Sequence, residues 1–501
     1  MDIPKMYATA AGGILVATVL IKLIPPCVRW ASVQVNNCLY YPYPYFIERH
    51  NFVGPWTWTS FVGHLLYLTS NLVALAYQTS SIAQFGVRAG KLSLANMIVL
   101  YAGSPLEFLG MSLRAYGRIH RAAAWMSGLL LTGHVIVAVT VQRETILPSE
   151  SRYLFAIISA GCIAIVLLFS IPFLRSLLFE VFLLGHQGLA GLVLYAIWQH
   201  LPSGSLVGSR LYILIMSTVA LAACFVRGAL VIHYNGLFRS RQTEVQLSRP
   251  IGLPEDFFRG EVQQSLSIPF TVRIKLPKPI RLSAGQYVYL WMPFIGFWSW
   301  TQSHPYMVIS WSQGEQDILD LYIHPQRGFS GRLLERSNVP PGTTLSLTGL
   351  ISGPRGITEA ISSYERVVAI ATGSGVAAVI PYLQMLVFGC NTLSLHTRRI
   401  HFVLWISLFV QDANIQTSTQ FGKHKRAMVH PCPPRYEEIL CRDLLSDLDL
   451  NGDVKPSLNL ECIAKNCAVA SATGSTRDRV RAFIRQNRKE NIKISELEYQ
   501  P

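Results

Sequence analysis

IHRAAAWMSGLLLTGHV at residues 119–135 and FLLGHQGLAGLVLYAIWQH at 182–200 each carry two histidines fourteen residues apart inside a long apolar stretch. The pairs are His120 with His134 and His186 with His200. At about 3.6 residues per turn, fourteen positions fall about 40° short of four turns, so both imidazoles of a pair share one helix face about 21 Å apart along the axis. Ionisable groups inside a membrane span are costly and usually functional, and neutral imidazole is a common axial ligand of haem iron. Two such helices can hold two stacked b-type haems. Ligation by two histidines leaves iron no open position, which makes each haem an electron carrier. The competing explanation, four histidines that merely pack, must produce the same spacing twice. His50 and His64 repeat the spacing by chance, because Pro55 interrupts the stretch between them and no continuous apolar helix joins them.

The chain around these helices divides sharply. Its 501 residues are 50% apolar and only 14% charged, with the first half membrane-like and the second a soluble α/β region. Apolar windows of about 20 residues predict seven spans near 7–25, 59–78, 92–111, 119–141, 153–173, 179–200 and 209–232, the third weakened by Pro105 and Glu107. Lys22 and Pro25-Pro26 follow the first window where a cleaved signal would show small residues, so a retained span is expected. The nine cysteines form no metal-ligand spacing and read as mostly reduced thiols. The net charge of +15 comes without a basic helix or an aromatic-interleaved basic patch, so lipid headgroups and a phosphorylated cofactor account for it better than nucleic acid. Loop charges do not orient the protein. Arg29, Arg49, Arg114, Arg118, Arg121 and Arg175 on one side balance Lys5, Arg88, Lys91, Arg143, Arg152 and Arg210 on the other.

A single span separates the two haem helices, so they run parallel. His120 must then pair with His186, and His134 with His200. Matching depths draws Arg114, Arg118 and Arg121 toward the inner haem, where they either neutralise propionates or anchor the chain to headgroups.

From about residue 255 the pattern changes to short alternating strands. FTVRIKL, QYVYLWM, MVISW and DLYIHP read as strands of an antiparallel barrel, and RVVAIATGSGVAAVIPYLQML as a buried strand, a glycine turn and a helix. In that turn, Gly373-Ser374-Gly375-Val376, the glycines would let backbone approach a dinucleotide diphosphate at the helix start.

With AGQYVYLWMP, SHPYMVIS, RGFSGRL, SGPRG and ATGSGVAAVIPYL added to RAGKLSLAN and IHR, the chain from Arg88 onward resembles the fungal ferric reductase branch of the ferric reductase and NADPH oxidase superfamily. The resemblance implies a membrane α-helical bundle carrying two haems, fused to a ferredoxin–NADP reductase-like module. The expected domains are a haem-binding membrane domain over 1–235, an FAD-binding β-barrel over 250–358 and an α/β nicotinamide nucleotide lobe over 364–501. It implies that His304, Pro305, Tyr306, Met307, Val308 and Ser310 line FAD, that Gly328, Phe329 and Ser330 lie near its diphosphate, and that Gly353 and Pro354 belong to the cofactor-binding set. Tyr499 falls where an aromatic covers the flavin. NADPH, with NADH as the alternative, would donate electrons that reach an external acceptor, a ferric chelate or, in the runner-up reading, oxygen. A plasma membrane protein with a cytosolic C-terminal half is expected, since the nicotinamide cofactor is available only inside cells.

The departures are specific. Ala124-Trp125 replaces the usual Gly-Arg, Met307 the usual Thr of HPFT, and Arg355 the aromatic of GPYG. Ser471-Ala472-Thr473 stands where Cys-Gly-Pro is usual, and no arginine follows Trp405, leaving Arg398 and Arg399 as substitutes near a 2′-phosphate. Residues 411–457 read as an insertion or loosely ordered loop. These losses also suit a diverged haem membrane protein whose nicotinamide lobe is weak.

Overall fold

A computed structural model describes residues 3–10, 12–13, 58–102, 113–141, 150–177, 179–202, 208–237, 241–249, 269–296, 299–326, 328–340, 342–405, 419–421, 427–429, 434–445, 466–472, 474–487 and 492–497. The chain divides into two compact units, Met1–Ala229 and Leu230–Pro501.

The first unit is helical: α1 (Trp58–Ala76), α2 (Ile82–Tyr101), α3 (Leu113–Val141), α4 (Ser151–Phe169), the short α5 (Pro172–Leu177), α6 (Phe179–His200) and most of α7 (Arg210–Asn235). Four stretches, Ala115–Val141, Ser151–Phe169, Val181–His200 and Arg210–Asn235, are long and apolar enough to cross a membrane, and Ser60–Ala76 is a shorter apolar helix. Their outward faces are apolar: Leu129 is 65% exposed, Leu221 69% and Phe225 78%, a pattern that suits lipid and would be a liability in water. The helix expected at 92–111 begins ten residues earlier, at Ile82, because the Ser81 side chain accepts the Gln84 amide and caps it there. Most of the window at 7–25 lies outside the described residues.

Inside this unit the polar side chains satisfy one another. Asn96 Nδ2 donates to Asn71 Oδ1 at 2.8 Å, Tyr7 and Tyr67 both donate to Asn96 Oδ1, and Asn71 Nδ2 donates to Tyr7 Oη. With water excluded, such a network holds the α-helical stretch over residues 3–10, α1 and α2 in one arrangement. α3 packs chiefly on α2, and α6 chiefly on α4.

Among the described residues the second unit holds three larger sheets. β1 (Glu244–Ser248), β2 (Phe270–Arg281), β3 (Tyr287–Trp291), β4 (His304–Met307), β5 (Glu315–Ile323), β6 (Thr344–Thr348) and β7 (Leu350–Arg355) form two antiparallel sheets, ordered β5-β2-β1-β6 and β4-β3-β7. An antiparallel bridge from Val308 to Leu321 joins them. Val245, Val272, Val288, Leu290, Leu319, Leu321 and Ile351 are buried from both sheets in one core. Helix α8 (Phe329–Arg336) contributes Phe329 and Leu333 to it. The strand expected at MVISW is displaced upstream and ends at Met307, because Val308 turns to bridge Leu321.

The third sheet is parallel, ordered β13-β12-β8-β9, from β8 (Arg366–Thr372), β9 (Arg399–Trp405), β12 (Asn466–Ser471) and β13 (Ile492–Glu496). A two-stranded ribbon, β10 (Thr419–Phe421) with β11 (Ala427–Val429), stands apart from it in the order. Helices α9 (Val376–Asn391), α10 (Tyr436–Leu445) and α11 (Gly474–Gln486) pack against the parallel sheet. α9 is also apolar enough to span a membrane, but Ala377, Val379, Tyr382 and Leu386 are buried and the helix packs on β8 and β12, as in a parallel α/β layer. Cys162, Cys224, Cys390, Cys441 and Cys467 are free thiols, and burial pushes that of Cys467 up to about 12.

Candidate functional site

His120 and His134 lie on α3, and His186 and His200 on α6. The rings of His120 and His186 stand side by side with centroids 6.1 Å apart and planes tilted by 48°. Metal–imidazole nitrogen bonds of first-row ions are about 2 Å long, and a ring centroid lies roughly 1 Å behind its nitrogen, so two imidazoles on opposite sides of one ion stand about 6 Å apart. The pair therefore has the separation that a shared iron requires. His134 and His200 lie close enough to interact electrostatically.

The hydrogen bonds decide which ring nitrogen is left free to ligate. Tyr116 Oη donates its one proton to the Leu100 carbonyl at 3.0 Å, so against His120 Nδ1, also at 3.0 Å, it accepts. His134 Nδ1 meets the Gly86 carbonyl at 2.8 Å and His200 Nδ1 the Arg152 carbonyl at 3.2 Å. Carbonyls only accept. In all three histidines Nδ1 thus carries the proton, and Nε2 presents a lone pair, the tautomer in which metal-ligating histidines are held by a second set of partners. His186 Nδ1 is buried without a hydrogen-bond partner among the described residues. This donor set fits two haems.

Charge collects at both ends of the helix pair. Arg121 lies within electrostatic range of Arg118 and Arg175, and of His120. At the other end Arg152 Nε donates to the His200 carbonyl and Arg210 Nη2 to the Leu201 carbonyl, both at 3.0 Å, completing the last turn of α6. The side chain of Arg114 lies outside what is described.

In the second unit the expected flavin strand shows two faces. Tyr306 and Val308 point into the barrel core with Val288 and Leu290, whereas Pro305 and Met307 pair across the sheet with Tyr289 and Tyr287 on the opposite face. Arg355 is buried and pairs with Tyr287 in register, its guanidinium 5.1 Å from the Tyr289 ring. His304 stacks on Phe329 at 4.6 Å, and Ser310 Oγ accepts the Asp320 amide. Gly328 precedes α8 at φ 91°, a conformation that favours glycine, and Ser330 Oγ accepts the Gln326 amide at 2.9 Å. Pro354 follows Gly353 through a cis peptide bond.

Gly373, at φ 52°, has open space where a Cβ would stand. Ser374 Oγ lies 3.2 Å from His324 Nδ1, whose pKa burial lowers. Gly375 is closed in, since a Cβ there would lie 2.0 Å from the Ser471 carbonyl oxygen. Val376 opens α9. The turn thus sits at the carboxyl ends of β8 and β12, where open α/β sheets bind ligands. Tyr499 lies outside the described residues, as does most of 411–457.

Residues 89–197 match the ferric reductase like transmembrane component family, and residues 265–359 match an FAD-binding domain. The chain has the architecture of the ferric reductase and NADPH oxidase superfamily. Its N-terminal half is therefore the membrane part, as the exposed apolar faces require. Ferric/cupric reductase transmembrane component 2 of Saccharomyces cerevisiae is 26% identical over 305 residues, covering 59% of this chain and 39% of that protein. Ferric reductase transmembrane component 3 of the same organism is 22% identical over 313 residues, with the same shares of 59% and 39%. The match thus spans well under half the length of these relatives. Among solved structures, the flavohemoglobin from Malassezia yamatoensis with bound FAD and heme is 14% identical, covering 83% of this chain and 99% of that one at a TM-score of 0.33.

The superfamily's ferric reductase match ends just before His200, so α6 carries one candidate ligand inside it and one beyond. Sequence reasoning missed Tyr116 and the carbonyls of Gly86 and Arg152. Tyr116 was accessible, since it stands one turn before His120 on the same face. The two carbonyls had no signal, because any residue supplies one.

Proposed function

We propose that this chain transfers electrons from cytosolic NADPH across the plasma membrane to an acceptor on the far side, with a ferric chelate as that acceptor. The 6.1 Å separation of the His120 and His186 rings, with Tyr116 holding the tautomer, is the observation that carries the reading. When bound, NADPH, FAD and two b-type haems supply a hydride donor, a carrier that handles electrons in twos and ones, and two one-electron carriers.

The chain's residues position these groups. His120 and His186 would hold the inner haem, and His134 and His200 the outer one. Tyr116, Gly86 and Arg152 keep the Nδ1 protons of His120, His134 and His200 engaged and leave each Nε2 free to ligate. Gly328, with Phe329 and Ser330 at the start of α8, and Pro305 and Met307 beside Tyr287 and Tyr289 would receive FAD. The Gly373–Gly375 turn would receive the dinucleotide, open at Gly373 and packed on Ser471 at Gly375.

Mixing the purified protein with NADPH under anaerobic conditions tests this. The haem bands should reduce, and ferric chelate should then reoxidise them. Haem that stays oxidised would overturn the reading, and reoxidation by oxygen but not by ferric chelate would favour an oxidase.

The basic cluster gives a second expectation. Reduction adds a negative charge to haem, so nearby cations favour it. Arg118→Gln or Arg121→Gln should lower the inner haem's midpoint potential, by about 60 mV for each 1.4 kcal/mol of lost one-electron stabilisation. The outer haem should move much less, because it lies about 20 Å further along the helix. A redox titration in which both haems shift together, or neither does, would instead assign the arginines to headgroup anchoring.

A further inference from the structure

We propose that α2, which carries none of the four histidines, sets the ring position and hydrogen bonding of His134 and thereby the reduction potential of the haem shared with His200. The inference rests on His134 being a haem ligand. Gly86 and Gly90 stand one turn apart on α2, and each meets a different side chain of the same stretch of α3. His134 Nδ1 donates to the Gly86 carbonyl at 2.8 Å. A Cβ on Gly90 would lie 3.0 Å from that same Nδ1 and 3.2 Å from Cε1 and Cγ of the ring. A Cβ on Gly86 would lie 2.5 Å from Val137 Cγ1. The absence of side chains at these two positions is what lets the ring reach the carbonyl.

The closeness is local. Gly133, next to His134 in sequence, would place a Cβ no nearer than 3.9 Å to Phe85, and Gly161 on α4 meets nothing within 4 Å. Small-residue pairs at this spacing commonly serve helix packing alone. Here the ring of a candidate ligand lies tight against the space of the missing Cβ, and the donor–acceptor bond joins the same two helices. A hydrogen bond from Nδ1–H to a carbonyl raises imidazole basicity and favours ferric over ferrous iron. Pushing the ring off Gly86 should therefore favour the ferrous form.

The test is a redox titration of purified Gly90→Ala, with Gly133→Ala as control. At a fixed potential the ferrous-to-ferric ratio of the His134–His200 haem should rise several-fold, up to about tenfold, or 59 mV for one electron. Loss of that haem alone would equally support the inference. The His120–His186 haem and both haems of Gly133→Ala should be unchanged. An unshifted outer haem in folded Gly90→Ala, or equal shifts of both haems, would overturn it and leave Gly86 and Gly90 as packing residues. If Gly90→Ala does not accumulate, pulsed EPR of the unaltered ferric protein decides: the exchangeable Nδ1 proton of His134 should be hydrogen-bonded, and its absence would overturn the inference. Failure of the ligand assignment is separable, since His134→Ala would then retain both haems.

Discussion

His120→Ala and His186→Ala should each lose the same one of two haems, and His134→Ala and His200→Ala the other. On the proposed assignment each change removes an axial ligand and not a packing group. The pairing is specific: the His120 and His186 rings stand with centroids 6.1 Å apart, and His134 lies within electrostatic range of His200. Haem per chain, measured on purified protein, should fall from two to one in every case. The spectra should fall into two classes, with His120→Ala resembling His186→Ala. Retention of two haems in any of the four would reject the assignment. Tyr116→Phe keeps the ring and its packing but removes the acceptor for His120 Nδ1, so it should retain both haems and alter only the inner one.

Gly375→Ala should uncouple the nicotinamide lobe from the haems. The residue's φ is −59°, which alanine adopts freely, so the effect comes from space alone. Its Cβ would lie 2.0 Å from the Ser471 carbonyl oxygen and 2.8 Å from the Ser471 carbonyl carbon, backbone atoms of a buried parallel strand that cannot rotate away. Overpacking of this kind costs about 1–3 kcal/mol or more, and the turn moves with it. The rate of haem reduction by NADPH should fall by about tenfold or more, about 1.4 kcal/mol in the barrier for each tenfold. Reduction by dithionite, which needs no dinucleotide turn, should be unchanged. Gly314→Ala, where a Cβ meets nothing within 4 Å, should be neutral in both assays. Equal rates for Gly375→Ala and the unaltered protein would mean that the turn does not hold the donor.

Periodicity explains why so much was legible. Fourteen residues return a side chain to the same helix face whatever surrounds it, so the shared faces of α3 and α6 follow from spacing. The continuous apolar run of β8 before Gly373 likewise marks a strand buried on both sides, and the parallel sheet bears this out. Where the local signal is short the reading slipped. MVISW alternates well enough to be a strand, yet β4 ends at Met307 because the Val308–Leu321 bridge closes the barrel there. The start of α2 moved to Ile82 because one serine side chain outweighed a hydropathy window.

The histidine spacing, the apolar faces and the glycine turn are properties of single segments, and sequence alone determined them. Tertiary structure decided what those segments meet. His134 finds the Gly86 carbonyl 48 residues away, and Gly375 is closed in by Ser471, which lies on another strand. Neither relation has a periodicity. Each depends on how closely two backbones approach, which the packing of many side chains fixes together and no one segment encodes.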